Sequence, residues 1–241
     1  MPICPNGKMR SVTTDECCQT WECDCRCELY GDPHYISFDG TTFDFLENCT
    51  YVLVQERKPR HNFSVIVDNY LCIEEGSCVR GIIVKYGKNN VTLSIVPSGD
   101  RIVTTFNQQI VPQPYEDQGI QITTNKRKVS VHISAIRSYV SLTTHSSLVI
   151  NLPTSHFGEN TQGQCGVCGG HACVRSNGTV EPDDCCEQTA YDWIYNDPQK
   201  PYCAVKHVSC TTISTPTPPM CAVHICVTFS IMKTLKSAIK R

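Results

Sequence analysis

No stretch of the sequence approaches the roughly 18 apolar residues that a membrane-spanning helix needs. Neither charge is in excess: 21 Lys and Arg stand against 23 Asp and Glu. Nothing electrostatic therefore favours nucleic acid or an anionic membrane as a partner. No HExxH, Gly-X-Ser-X-Gly or phosphate-loop motif occurs. The eight histidines (His34, His61, His132, His145, His156, His171, His207 and His224) are dispersed, with no paired metal-ligand spacing. No catalytic constellation is visible. Helical periodicity is missing between about residues 28 and 153, which argues against an α or α/β fold. Cysteine is missing between Cys78 and Cys165, which marks a segment able to bury a core of its own. A secretory leader is missing as well, because Met1-Pro2-Ile3-Cys4 carries no apolar core of suitable length. The expectation is a fragment of a longer protein.

What is present in quantity is cysteine, 18 residues in all. Six fall within Cys4–Cys27, three within Cys49–Cys78 and nine within Cys165–Cys226. Such density suits an oxidising compartment. Four Asn-X-Ser/Thr sequons, at Asn48, Asn62, Asn90 and Asn177, agree with it. Secretion to the extracellular space is expected on those grounds. The leader runs Cys4, Cys17-Cys18, Cys23, Cys25, Cys27. Its Cys-X-Cys-X-Cys run could hold zinc through thiolates, but sequons and the lack of nearby His pairs favour a disulfide knot.

The stretch from Tyr30 to Gln55 organises the rest. Gly31-Asp32-Pro33 is a turn signature, and Asp39-Gly40 is a two-residue hairpin signal between aromatic and β-branched residues. Thr50–Val54 reads as a buried strand beside Cys49. Alternating runs follow at 63–67, 82–86, 91–96, 102–106, 109–111, 119–124, 128–133, 138–143 and 147–152. Short strands at such spacing indicate a mainly β domain, an antiparallel β-sandwich or barrel, with a disulfide-rich N-terminal leader and C-terminal tail. From Phe157 the composition turns to Gly, Cys and Asn around Gly163-Gln-Cys-Gly-Val-Cys-Gly-Gly170. A short helix is expected around Cys186 to Ile194. Residues 211–220 (TTISTPTPPM) read as a Pro/Thr linker, and 221–241 as an irregular basic terminus.

Taken together, Gly31-Asp-Pro-His-Tyr-Ile-Ser-Phe-Asp-Gly40, Asn48-Cys-Thr-Tyr-Val-Leu-Val54 and Cys165-Gly-Val-Cys168 resemble the von Willebrand factor type D domain. Within that family Val67–Cys72 and Asn196–Cys203 are most similar to the fourth D assembly of secreted gel-forming mucins of the intestinal type. The leader pattern CCxxWxCxC resembles the end of a von Willebrand C-type module. The expected organisation is a truncated module at 1–26, the D domain at 27–203, and linker with irregular terminus at 204–241.

The resemblance implies disulfides Cys27–Cys168, Cys49–Cys203 and Cys72–Cys78. Many D domains supply a further cysteine after the strand ending in Gln55 as partner for the first CGxC cysteine. Here Gln55–Arg60 has none, so Cys165 is left for Cys173 or for a free thiol. The family also implies a calcium site, with the Asp of the FDG turn and an Asn/Asp-rich loop after CGxC as ligands. Asp39 matches the first, but Gly169-Gly-His-Ala-Cys-Val174 replaces the second. Calcium takes 6–8 oxygens, which one carboxylate does not supply unless Asp183 and Asp184 fold back. The plainer reading is that Asp39 shapes the turn.

Three functions follow in order. The first is a non-enzymatic secreted structural glycoprotein, a mucin-type D domain in disulfide-linked mucus assembly, its partners being other mucin-like chains or extracellular glycoproteins joined by interchain disulfides. The second is a matrix or cell-adhesion protein using the same domain. The third is a thiol-disulfide oxidoreductase acting through Cys165 and Cys168, for which flanking glycines and a β context offer no helix N-terminus to activate a thiol.

Overall fold

The structure is a computed structural model and describes residue 4 and residues 9–13, 19–31, 33–73 and 76–210. Cys17, Cys18, Asp32, the linker 211–220 and the basic terminus lie outside the described residues. The chain divides into two compact units, Met1–Ser209 and Cys210–Arg241. Only Cys210 of the second is described.

Unit one is almost entirely antiparallel β. In chain order the strands are β1 (Met9–Thr13), β2 (Gln19–Tyr30), β3 (His34–Ile36), β4 (Thr42–Asp44), β5 (Thr50–Glu56), β6 (Ser64–Ile73), β7 (Gly76–Tyr86) and β8 (Asn89–Ile95). They continue with β9 (Ile102–Phe106), β10 (Gln109–Ile110), β11 (Tyr115–Asp117), β12 (Ile120–Asn125), β13 (Lys128–Ile133), β14 (Ser138–Thr143), β15 (Leu148–Pro153) and β16 (Thr161–Gln162). One sheet runs β11-β12-β13-β14-β15-β2-β3-β4, with β1 added to β2; the other runs β10-β9-β8-β7-β6-β5-β16. The buried faces of both sheets contribute to one hydrophobic core. Both sheets have free ends, so the molecule is a sandwich and the barrel alternative is not realised.

Period-two alternation explains most of this. In β12, Ile120 and Ile122 are buried while Gln121 faces solvent. In β8, Val91 and Leu93 are buried with Asn90 and Thr92 facing out. Each such aliphatic side chain stabilises the fold by roughly 1.5–3 kcal/mol relative to exposure. Hairpin by hairpin, the chain builds β5 to β10 into one sheet and β11 to β15 into the other.

The exception is β2, which the cysteine-rich leader does not advertise as a strand. It pairs with β15, more than 100 residues away in sequence, in the register Leu29↔Leu148, Cys27↔Ile150 and Cys25↔Leu152. Alternation along β2 buries Cys25, Cys27 and Leu29 and turns Arg26 and Glu28 outward. Both cysteines thus point into the core from one face of one strand. The leader supplies a central strand of the sheet, continuous across residues 26 and 27.

The hairpin also differs from its expected form. Strands β3 and β4 pair in the register Ile36↔Thr42, so five residues, 37–41, make the connection rather than Asp39 and Gly40 alone. The wider turn lets the Phe38 N–H donate to the Cys165 carbonyl at 3.0 Å. A single helical turn, α1 (Thr154–Phe157), follows β15, and the expected short helix is present as α2 (Cys186–Ala190), followed by a 3-10 turn at Tyr191–Trp193.

Candidate functional site

The loop 163–173 lies under the hairpin tip and against β5. Its first residues extend the sheet: Gln164 and Cys165 N–H groups donate to the Val52 and Leu53 carbonyls at 3.1 and 2.8 Å. Gly163 is required there. Its φ is +130°, and a Cβ would stand 2.4 Å from the Leu53 carbonyl oxygen. Gly166, at φ +81°, would place a Cβ 2.6 Å from Ala172 Cα. The glycines of the motif let two backbones touch.

Each cysteine of the motif bridges to β2. Cys165 bonds Cys27 and Cys168 bonds Cys25. The Cys27–Cys168 pair implied by the family resemblance is therefore corrected, and Cys165 is neither free nor joined to Cys173. The physical reason is β2. Residues 25 and 27 are two apart in a strand and share its inner face, so two parallel bridges form side by side. Cys27 takes Cys165 in place of the partner missing from residues 55–60, and Cys25 takes Cys168. Cys173 instead bonds Cys186 at the start of α2. Cys49 bonds Cys203, and Cys72 bonds Cys78. Cys4 bonds Cys23.

Cys165 and Cys168 are fully buried. Thiol exchange needs an accessible, stabilised thiolate, and two buried bridged sulfurs offer none. Thr161 anchors the loop between them: its hydroxyl donates to the Gly166 carbonyl at 3.1 Å and accepts the Cys168 N–H at 2.6 Å.

Asp39 sits at the join of hairpin and loop. Its Oδ1 accepts the Ser37 hydroxyl at 2.6 Å and the Thr41 N–H at 3.1 Å. Its Oδ2 accepts the Ala172 N–H at 2.9 Å. Both oxygens are thus engaged by N–H and O–H donors, three in all, which leaves about one lone-pair site of the carboxylate for a cation. Asp183 and Asp184 are exposed, and among the described residues Asp39 belongs to no cluster of three His, Cys, Asp or Glu side chains. The residues present do not fit a calcium ion; a direct hydrogen bond joins hairpin to loop.

Aromatic packing holds the hairpin in place. Phe45 meets Tyr51 and Tyr191 edge-on, both at 4.9 Å, and Tyr35 stacks on Phe43 at 4.8 Å. The Tyr35 hydroxyl donates to Gln164 Oε1 at 3.1 Å, and burial pushes its pKa up. Burial and a hydrogen bond to Glu47 push Tyr191 up to about 12. These phenols stay protonated. His34 of the entry motif has its Nδ1 2.5 Å from Asp44 Oδ1 across the hairpin.

Of the sequons, Asn62, Asn90 and Asn177 are exposed and Asn48 is half-buried. Asn62 occupies a left-handed turn at φ +51°. Asn177 Oδ1 accepts the Thr179 N–H at 2.9 Å.

Buried charges are the part that sequence reasoning missed. Glu56 accepts N–H groups from Arg60, His61 and Phe63, closing the loop that carries Asn62. Arg175 is buried between Glu181 and Asp192. Lys200 pairs with Asp68. No hydropathy pattern signals them: Glu56 is met by backbone N–H groups, which residue type does not reveal, and Lys200 meets Asp68 from 132 residues away.

A model of the von Willebrand factor type D domain matches residues 27–175. The chain belongs to that family. Mucin-2 of Mus musculus is 38% identical to this chain over 229 residues, covering 90% of this chain and 5% of the relative. Mucin-5AC of Homo sapiens is 36% identical over 224 residues, covering 88% and 4%. Hemocytin of Bombyx mori is 33% identical over 193 residues, covering 75% and 6%. The chain spans only about a twentieth of the length of these relatives. No helix among the described residues is long and apolar enough to cross a membrane.

Proposed function

We propose that this D domain is a rigid, non-enzymatic building block of a secreted, mucin-type glycoprotein polymer. The observation that carries the reading is that both CGVC sulfurs are buried and bonded to one strand, β2. A motif used in this way is a staple. It joins the start of the domain to the segment beyond residue 160, and the rigid sandwich then serves as an interaction surface. The similarity to Mucin-2 and Mucin-5AC supports a place among gel-forming mucins, in the position of a fourth D assembly, with residues 27–203 as the domain proper.

Fourteen of the 18 cysteines are bridged among the described residues. Interchain bonds to other mucin-like chains therefore fall to Cys17, Cys18, Cys221 and Cys226. Secreted from mammalian cells, the chain is expected to run as disulfide-linked oligomers on non-reducing gels. Replacing those four residues with serine should leave secreted monomers. Monomers from the unaltered chain, or oligomers that persist in the four-serine variant, would overturn the reading.

The relatedness to Hemocytin and Zonadhesin favours a second reading, a matrix or adhesion protein built on the same domain. Long Ser/Thr/Pro tracts in the full-length transcript would exclude it in favour of the mucin, and repeated D modules without such tracts would support it.

A further inference from the structure

A cleft of about 270 Å3 opens beside the Cys49–Cys203 bridge, and Asn48 lines it. Its floor is a saturated charge network. Lys200, 8% exposed, donates to the Asn48 and Asn69 carbonyls at 3.0 and 2.5 Å and pairs with Asp68. These use all three of its donors. Asp197 accepts the Thr50 hydroxyl at 2.8 Å through one oxygen and the Gln199 N–H at 2.9 Å through the other. The charged groups of the floor are paired.

The rim is different. Leu71 and Tyr202 are 59% and 66% exposed, among the larger uncovered apolar side chains of the domain. The Arg80 guanidinium lies 4.7 Å over the Tyr70 ring, with no carboxylate partner among the described residues. The side-chain amides of Asn48 and Gln199 form no hydrogen bonds there either. Apolar rings and chains beside unsatisfied amides, a phenol and a guanidinium suit a ligand with one apolar face and a circumference of hydroxyl and amide groups. A pyranose carrying an N-acetyl group has that chemistry. Small-molecule sites run to roughly 300–1,000 Å3; at about 270 Å3 this cleft lies just below that range and is sized for a single ring.

We infer that the cleft seats the first N-acetylglucosamine of an N-linked glycan on Asn48. The sugar is tethered at the cleft itself, so its effective concentration is high and a shallow site suffices. The linkage forms between Asn48 Nδ2 and the anomeric carbon. The bond from that carbon to the pyrophosphate of a lipid-linked oligosaccharide breaks, and the amide proton passes to the transferase. Timing follows from burial. The sequon hydroxyl, on Thr50, is 1% exposed, and Cys49 bonds a residue 154 positions downstream. Transfer therefore precedes the closing of Cys49–Cys203, and folding then closes the cleft on the sugar.

The test uses the chain secreted from mammalian cells, with glycopeptide mass spectrometry reading each sequon during digestion of the native protein by an amide-cleaving N-glycosidase. Asn48 is expected to be occupied and to lose its glycan at least about tenfold more slowly than exposed Asn90, the difference vanishing after reduction and denaturation. In Tyr202→Ala and in Leu71→Ser, release at Asn48 should accelerate while release at Asn90 is unchanged, which also shows that the fold is retained. An unoccupied Asn48, or native release as fast as at Asn90, would overturn the inference. So would release that stays slow in both folded variants, because the bridge and not the cleft would then be the shield.

Discussion

The carboxylate of Asp39 and the backbone N–H of Ala172 are 2.9 Å apart, joining a hairpin tip to a loop 133 residues further along the chain. The bond stands where two parts of the domain meet that are also fastened by Cys27–Cys165 and Cys25–Cys168. It makes the hairpin and the CGVC loop one body.

Asp39→Ala removes the acceptor for the Ser37 hydroxyl and for the Thr41 and Ala172 N–H groups. Unsatisfied buried donors cost about 1–3 kcal/mol each. With the tip partly open to water, a loss of about 2 kcal/mol in total is expected by chemical denaturation. Calcium or a chelator, added to the unaltered protein, should leave its melting temperature unchanged. A calcium-dependent rise would show that a cation displaces the Ala172 bond.

The disulfides differ in what they close. Cys25–Cys168 and Cys27–Cys165 span 143 and 138 residues, whereas Cys72–Cys78 spans 6. In the chain-entropy account, loops of such lengths restrict the unfolded chain by about 5 and about 2 kcal/mol respectively. Either of the two adjacent bridges keeps the long loop closed, so both must be removed: alanine at Cys25, Cys27, Cys165 and Cys168 together should therefore abolish or sharply reduce secretion. The same treatment of Cys72 and Cys78 should leave a secreted domain with a modestly lower denaturation midpoint. Equal effects from the fourfold and the Cys72/Cys78 substitutions would contradict the account.

Gly163→Ala sets a Cβ against the Leu53 carbonyl at 2.4 Å, with backbone on both sides of the clash. More than about 3 kcal/mol of destabilisation is expected, enough to block secretion. Gly178→Ala is the control, since it shares a positive φ of +89° but meets only the Arg57 side chain at 4.0 Å. It should cost about 1 kcal/mol. Secretion titres of the two variants check the contrast.

Mild acid should destabilise the domain. Burial holds the His132 imidazole below its ordinary range, aided by Lys128; burial, Arg137 and His61 do the same for His156, against an opposing pull from Glu22. Folded values below the unfolded value of about 6.5 mean that unfolding takes up protons. The stability these residues contribute is complete above that pH and is lost as pH falls through the folded values. Glu22 acts in the same direction at lower pH. Burial raises its pKa, but bonds from Ser155 and Thr154 and the charge of Arg137 outweigh this and lower it overall. Melting temperature measured against pH should be level above about pH 7 and fall below it. The first stage of the fall should shrink in a His132→Gln, His156→Gln double variant. A profile that rises on acidification would show that other groups dominate.

Much of the fold can be read from the residues alone. The runs at 82–86, 102–106, 128–133 and 138–143 carry their strand identity in alternation, and turn residues between them mark the hairpins. Local periodicity suffices because each strand pairs with its sequence neighbour. The site is legible only in part. The Asp39 turn and the CGVC motif stand out, yet the partner of Asp39 is a backbone N–H, which leaves no trace in residue type. Lys200 and Arg175 look like ordinary surface cations, and their burial depends on carboxylates contributed by other elements.

Composition and pattern by themselves determined a disulfide-stapled, mainly β domain with its hairpin near the start and its glycine-cysteine loop near the end. Tertiary structure alone decided that Cys165 takes Cys27 and Cys168 takes Cys25. Four sulfurs at two motif positions can be joined in more than one way, and a sequence does not say which faces are turned toward one another. The long-range pairing of β2 with β15 settles it by carrying Cys25 and Cys27 into the core on one face of one strand.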